Sequence, residues 1–255
     1  MGLGMLGPYV KPREHREMKQ SKKGYIVYSG PSMLEPSVNI IGILTMKTTN
    51  AKTGDMAQLT IIRDDVEPHV AVKDGLDSAI CGTCPHRHYN GGSCYVLPFQ
   101  APLAIYRAYH RGLYTKGLPA FNYNASVRLG AYGDPAALPY DVIVDVCSAF
   151  GSHTGYTHQA QHKGYDQRLT GLVMGSADTY KQALKMQSKG FKTFRVKLPN
   201  DTLLPNEVEC LADTKGITCK DCGLCDGDQL NIAISVHGQK AKKFKSSLIP
   251  LAQGV

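Results

Sequence analysis

The rhythm of apolar and polar positions changes twice along the chain. Residues 1–24 are basic and turn-rich with no apolar periodicity, which predicts an arm or an irregular packing segment. From Tyr25 to Asp64 the texture is that of strands. Tyr25–Tyr28 is short and apolar, and Val38–Met46 and Gln58–Ile62 flank the turn-rich Asn50–Asp55, an arrangement that predicts a hairpin with a long loop. Asp65 stands where it can cap a short helix ending near Gly75, with Pro68 in the first turn.

From Leu76 onward short apolar runs alternate with helical patterns. Asp77–Ile80 reads as a strand leading into a cysteine loop. Ala101–Arg111 places Leu103, Ile105, Tyr106 and Tyr109 at helical spacing. Strands are then predicted at Val127–Ala131, His153–Thr157, Leu169–Met174, Phe191–Val196 and Asn231–Val236, with helices at Pro139–Phe150 and Thr179–Lys189, the second stopping at Gly190. About six strands alternating with helices imply an α/β fold with a parallel sheet, open or curved into a partial barrel. The division expected is a basic arm over 1–24, a β-hairpin extension with a short helix over 25–75, and a βα unit over 76–255 with an inserted cysteine-rich segment at 198–227.

Composition narrows the function classes. At 255 residues, 42% hydrophobic and 20% charged, the chain can bury a full core and is not of a disordered type. No stretch approaches the ~18 apolar residues of a membrane span. The first residues lack the apolar core of a secretory signal, and Leu6 stands where a myristoylation signal wants Ser or Thr. The expectation is a cytoplasmic protein with no membrane contact. The net charge of +8 gathers at the two ends, in Lys11–Lys23 and in Lys240, Lys242, Lys243 and Lys245. That predicts salt-dependent, sequence-independent contact with nucleic acid and no more.

The cysteines change the picture most. Seven of the eight fall into two groups: Cys81, Cys84 and Cys94, then Cys210, Cys219, Cys222 and Cys225. Cysteines two residues apart share an ion more readily than they form a relaxed disulfide, whereas Cys147, inside an apolar run, reads as a small buried hydrophobe. The second group, three cysteines at a stride of three with one upstream, is nearer a ferredoxin-type [4Fe–4S] arrangement than the two separated pairs of structural zinc. The first group has two readings that spacing leaves open. His86 or His88 can close a Cys₃His zinc site, or three thiolates can hold a four-iron cluster with one iron open to an external ligand. Polar residues recur at the carboxyl ends of the predicted strands: Tyr132-Gly133-Asp134-Pro135, Thr157-His158, Ser176 and Asp178, then Arg195 and Lys197. Each alone is explained by a turn or a cap, but their recurrence beside one cysteine loop points to chemistry at that end of the sheet.

These motifs together resemble the radical S-adenosylmethionine superfamily, which has a partial barrel, three cysteines after the first strand and a glycine-rich acidic turn after the second. Val127–Pro139 is similar to that turn and the helix start after it, with Asp134 in the place of a Glu and Tyr132 in the place of the first Gly; Gly175–Asp178 is similar to the fourth-strand segment. The cysteine spacing here is two and nine residues where the superfamily has three and two. More narrowly, the chain resembles a group of uncharacterised phage-encoded cysteine-rich proteins, through Asn50–Gly54, Cys94-Tyr95, the Gly-Asp turn, the Tyr-Thr strand end, Ser-x-Asp and the terminal cysteine group. The resemblance implies a partial (β/α)6 TIM-like barrel with an N-terminal β-hairpin extension and a C-terminal cysteine-rich metal knot, located in the cytoplasm of a host cell if phage-encoded. It implies a [4Fe–4S] cluster on Cys81, Cys84 and Cys94, S-adenosylmethionine seated by Tyr132, Gly133, Asp134, Ser176 and Asp178, and Thr157, His158, Arg195 and Lys197 as catalytic residues facing an unknown substrate. It also implies an auxiliary cluster on Cys210, Cys219, Cys222 and Cys225. The alternatives are a non-enzymatic protein stabilised by zinc or a cluster and binding nucleic acid or a protein partner, and a redox or sensing protein without cofactor chemistry.

Overall fold

A computed structural model describes residues 24–48, 50–236 and 244. The basic arm over 1–23 and the basic run at Lys240, Lys242, Lys243 and Lys245 lie outside the described residues.

The hairpin forms as the alternation predicts. Strands β1 (Gly24–Pro31), β2 (Asn39–Thr45) and β3 (Ala57–Arg63) pair antiparallel in sequence order. Their Ile and Leu side chains, Ile40, Ile41, Ile43, Leu44, Leu59, Ile61 and Ile62, are fully buried and form one end of the main core. On its other edge β3 pairs parallel with β5 (Asn122–Tyr132), which continues into β6 (Phe150–Thr157), β7 (Met174–Ala177), β8 (Thr193–Lys197), β10 (Asn231–Ser235) and β9 (Glu207–Glu209), all parallel. With the two-residue β4 (Thr115–Lys116) beside β1, the sheet has ten strands in the order β4-β1-β2-β3-β5-β6-β7-β8-β10-β9. The chain is therefore a mixed α/β protein built on one large, mostly parallel sheet. No helix among the described residues is long and apolar enough to cross a membrane.

The helices are α1 (Pro68–Lys73), α2 (Ser78–Cys81), α3 (Ala101–His110), α4 (Tyr140–Ser148), α5 (Tyr180–Gln187), α6 (Leu211–Thr214) and α7 (Cys219–Cys222). Two sheet faces separate by strand alternation. One face carries Val127, Leu129, Gly175, Ala177 and Thr193; α5 covers it so closely that a side chain at Gly175 would strike Met186. The other carries Arg128, Tyr156 and Phe194, with the Tyr156 and Phe194 rings 4.6 Å apart, and is packed by Met174, Ile232, Cys225, Cys210 and Leu224.

Three local expectations differ. Ser78–Cys81 is a helical turn, not a strand, so the strand that leads toward the first cysteine loop is β3, two short helices upstream. A four-residue apolar run carries no periodicity to tell the two apart. The strand expected at Leu169–Met174 begins only at Met174, because Gln167–Leu169 forms a 3₁₀ turn and Gly171 turns the chain with φ of +96°. Asp65 does not cap α1; its carboxylate takes two hydrogen bonds from Arg63, and Glu67 holds the N-cap position with no side-chain bond.

Candidate metal centres

The first cysteine loop is held by a polar frame. Asp77, 3% exposed, pairs with Arg87, whose guanidinium also donates to the carbonyls of Gly75 and Gly82. From the end of β6, Gln159 accepts from the Thr83 N–H and hydroxyl and donates to the Cys81 carbonyl. The nine residues between Cys84 and Cys94 fold back on themselves: Gly92 N–H donates to Arg87 O at 3.0 Å and Cys94 N–H to His86 O at 2.9 Å. That fold-back returns Cys94 to Cys81 and Cys84, close enough that the charges of both raise the Cys81 thiol pKa after burial, the larger cause.

The acidic turn closes over this loop. Asp134, 7% exposed, donates its N–H to Ile80 O, accepts from Ala136 N–H with one carboxylate oxygen and from His158 N–H with the other. Burial raises its pKa, against hydrogen bonds from Ala136, Thr157 and His158. Gly133, at φ +83°, lets the turn pass directly against Ile61. Tyr132 is 6% exposed, and its hydroxyl has no hydrogen-bond partner among the described residues. Burial pushes its pKa far up, and the charges of Cys81, Asp77 and Cys94 add to the shift.

Three side chains from three places meet beside Cys84. His86 Nε2 lies 2.7 Å from Asp178 Oδ1, and His158 Nε2 lies 3.7 Å from the same oxygen. The imidazoles meet edge to face at 5.2 Å, Phe244 stacks on His86 at 5.3 Å, and His86 Nδ1 sits 2.8 Å from Ser93 Oγ. Burial pushes the Asp178 carboxyl up, but the two histidines outweigh it and hold it well below the ordinary carboxylate range. Burial likewise pushes His158 down, and hydrogen bonds to Asp178 and Cys84, with their charges, carry it well above the ordinary imidazole value.

The second group converges from α6, α7 and the loop after α7. Cys210 precedes α6 and donates its N–H to Ala233 O on β10; Cys225 O accepts from Gly155 N–H on β6. The charges of Cys210, Cys219 and Cys222 all reach the Cys225 thiol, which burial pushes up to about 12. The Asn50–Gly54 turn docks here, with the carbonyls of Lys52 and Thr53 accepting the N–H groups of Cys219 and Lys220. Gly54, at φ +69°, lies against Thr218.

None of the eight cysteines forms a disulfide. Among the described residues, the group that brings three ligand atoms within 4.8 Å of one another is His86, His158 and Asp178; neither cysteine group brings three sulfurs together to that degree.

The other expected site residues divide by face. Ser176, in register with Phe194, shares the face of Tyr156. Thr157 points to the α5 face, fully buried, and its hydroxyl accepts from Gln159 N–H. Arg195 and Lys197 also lie on the α5 face; Arg195 forms a two-bond ion pair with Glu207, and Lys197 pairs with Glu209 at 3.1 Å. His88 engages the Val96 carbonyl at 3.3 Å, so His86 is the histidine turned toward Asp178. Sequence reasoning missed Gln159, the Asp77–Arg87 pair, Ser93 and Arg128, whose guanidinium donates to the Tyr95 hydroxyl at 2.6 Å. Gln159 was the accessible one, because it follows Thr157-His158 at a strand end.

Comparison with protein-family models, curated proteins and solved structures finds no match to this chain.

Proposed function

We propose that the chain is an iron–sulfur protein of the radical S-adenosylmethionine type, in which Cys81, Cys84 and Cys94 hold a four-iron cluster with one iron open to an external ligand. In this reading the six parallel strands β3, β5, β6, β7, β8 and β10 curve as a partial (β/α)6 barrel. The first cysteine loop lies at their carboxyl ends, where such folds gather chemistry. The four cysteines of the second group hold an auxiliary centre that closes the opposite face.

The observation that carries the reading is the environment of the three sulfurs. Zn–S bonds in a tetrahedron place thiolates about 3.8 Å apart. Here the three sulfurs do not all lie within 4.8 Å of one another, and the buried Tyr132 hydroxyl, without a partner among the described residues, lies near enough to Cys81 and Cys94 for their charges to act on it. A bound cluster would supply one-electron chemistry at its open iron. The chain's own residues do the rest: Asp77, Arg87 and Gln159 hold the loop, and Asp134 fixes the backbone of His158 against it. With the carboxylates of Asp134 and Asp178 already engaged, Tyr132 and Ser176 are the groups left to meet an external ligand.

The test is the full chain purified without oxygen. Brown protein containing iron and sulfide, with a cluster spectrum that S-adenosylmethionine perturbs, is expected. Cys84→Ser is expected to lose the open-iron cluster and keep the auxiliary one. A colourless protein carrying two zinc ions per chain would overturn the proposal.

A further inference from the structure

We infer that His86, His158 and Asp178 bind a divalent transition-metal ion, at a nitrogen–oxygen site that adjoins Cys84 but takes no ligand from either cysteine group. The three come from separate segments, the fold-back of the first cysteine loop and the ends of β6 and β7, yet one nitrogen or oxygen of each lies within 4.8 Å of the others. Two histidines and a carboxylate on one side of an ion form a set suited to iron, cobalt or zinc, and three protein ligands leave further positions open.

The supporting contacts are those a metal-binding histidine needs. His86 has its Nδ1 on Ser93 Oγ, which fixes the ring and turns Nε2 toward Asp178. The backbone of His158 is fixed by the buried Asp134 carboxylate at 2.9 Å. The three side chains are 17%, 24% and 13% exposed, sheltered from bulk water but not sealed. The 2.7 Å His86–Asp178 contact is that of a proton shared between nitrogen and oxygen. An ion replacing that proton, with bonds of about 2.1 Å, needs the two atoms about 3.0–3.4 Å apart, a movement of well under 1 Å. Asp178 brings a carboxylate with both histidines turned to it, the acidic ligand that this set requires.

The inference stands apart from the cluster reading, and Co²⁺ separates the two. Cobalt bound by thiolates carries an intense sulfur-to-metal charge-transfer band, whereas cobalt held by nitrogen and oxygen shows only weak visible bands. The full chain, with its cysteine-bound metal retained and assayed separately, is expected to take up one further equivalent of Co²⁺ without the sulfur band. Asp178→Asn is expected to lose that equivalent and leave cysteine-bound metal unchanged. Ser93→Ala, which keeps all three ligands, is expected to weaken Co²⁺ binding about 10–100-fold. Absence of the extra equivalent in the native chain, or its persistence at full affinity in Asp178→Asn, would overturn the inference whether the protein is brown or colourless.

Discussion

The two cysteine loops are built on opposite principles. The first is fastened by side chains: an Asp77–Arg87 pair beneath it, Gln159 across it and the Asp134 turn above it. Those contacts run between protein groups and give the loop its shape. The second is fastened mainly through backbone, to Lys52 and Thr53 on one side and to Ala233 and Gly155 on the other, and its short helices α6 and α7 bury no residue. So little apolar burial offsets little of the loop's ordering entropy, and in the proposed reading an ion held by four thiolates would supply the difference.

The sharpest way to break that contrast is Cys222→Ser. Structural ions contribute about 10 kcal/mol or more to the folding of small cysteine-rich units. Hydrogen exchange over residues 198–227 should therefore rise to near-solvent rates while β5 and β6 stay protected. Unchanged protection would mean that the second loop also has a frame of its own.

Asp77→Ala tests the first loop from below. Removing one partner of a buried ion pair costs about 3–5 kcal/mol. A large fall in the urea midpoint is expected, with metal on the second group retained; a midpoint within error of the native chain would count against the frame.

Gln159→Leu removes two acceptor contacts and one donor at a fully buried position, and leaving such groups unpaired costs about 1–3 kcal/mol. Metal analysis should find the first group depleted and the second full. Equal depletion of both would show that the loops are coupled. The smallest effect is expected from Gly54→Ala, where the left-handed backbone costs a substituted residue about 1–2 kcal/mol. Its thermal shift should be accompanied by faster metal loss from the second group only, measured with a chelator.

Much of the architecture is legible from pattern, for reasons that also mark where legibility stops. The hairpin and the helices α3, α4 and α5 carry long periodic signals, and Thr179 caps α5 as a Thr before such a helix should. Ser78–Cys81 fails because its side chains suit a strand as well as a helical turn, and only packing under Asp134 decides. The cysteine groups are visible as groups because their members are near in sequence. The meeting of His158 with Asp178 is not, since it requires β6 and β7 to be parallel neighbours with Thr157 opposite Gly175. The roles of Arg195 and Lys197 were hidden for the same reason. Their acidic partners come from β9, a three-residue strand whose place beside β10 no local signal announces.

The order of the strands has a consequence for the protein in crowded solution. Sheets present unpaired backbone only at their outermost strands, and those strands are where one molecule can recruit another. Here the outermost strands are β4, two exposed residues of which one is Lys116, and β9, which reads Glu-Val-Glu with both acids tied to basic residues of β8. The long isoleucine-rich strands β2 and β3 lie inside, each paired on both edges. Among the described residues, strand addition is thereby left to two short charged segments, and the sequences best suited to seed aggregation are paired on both edges.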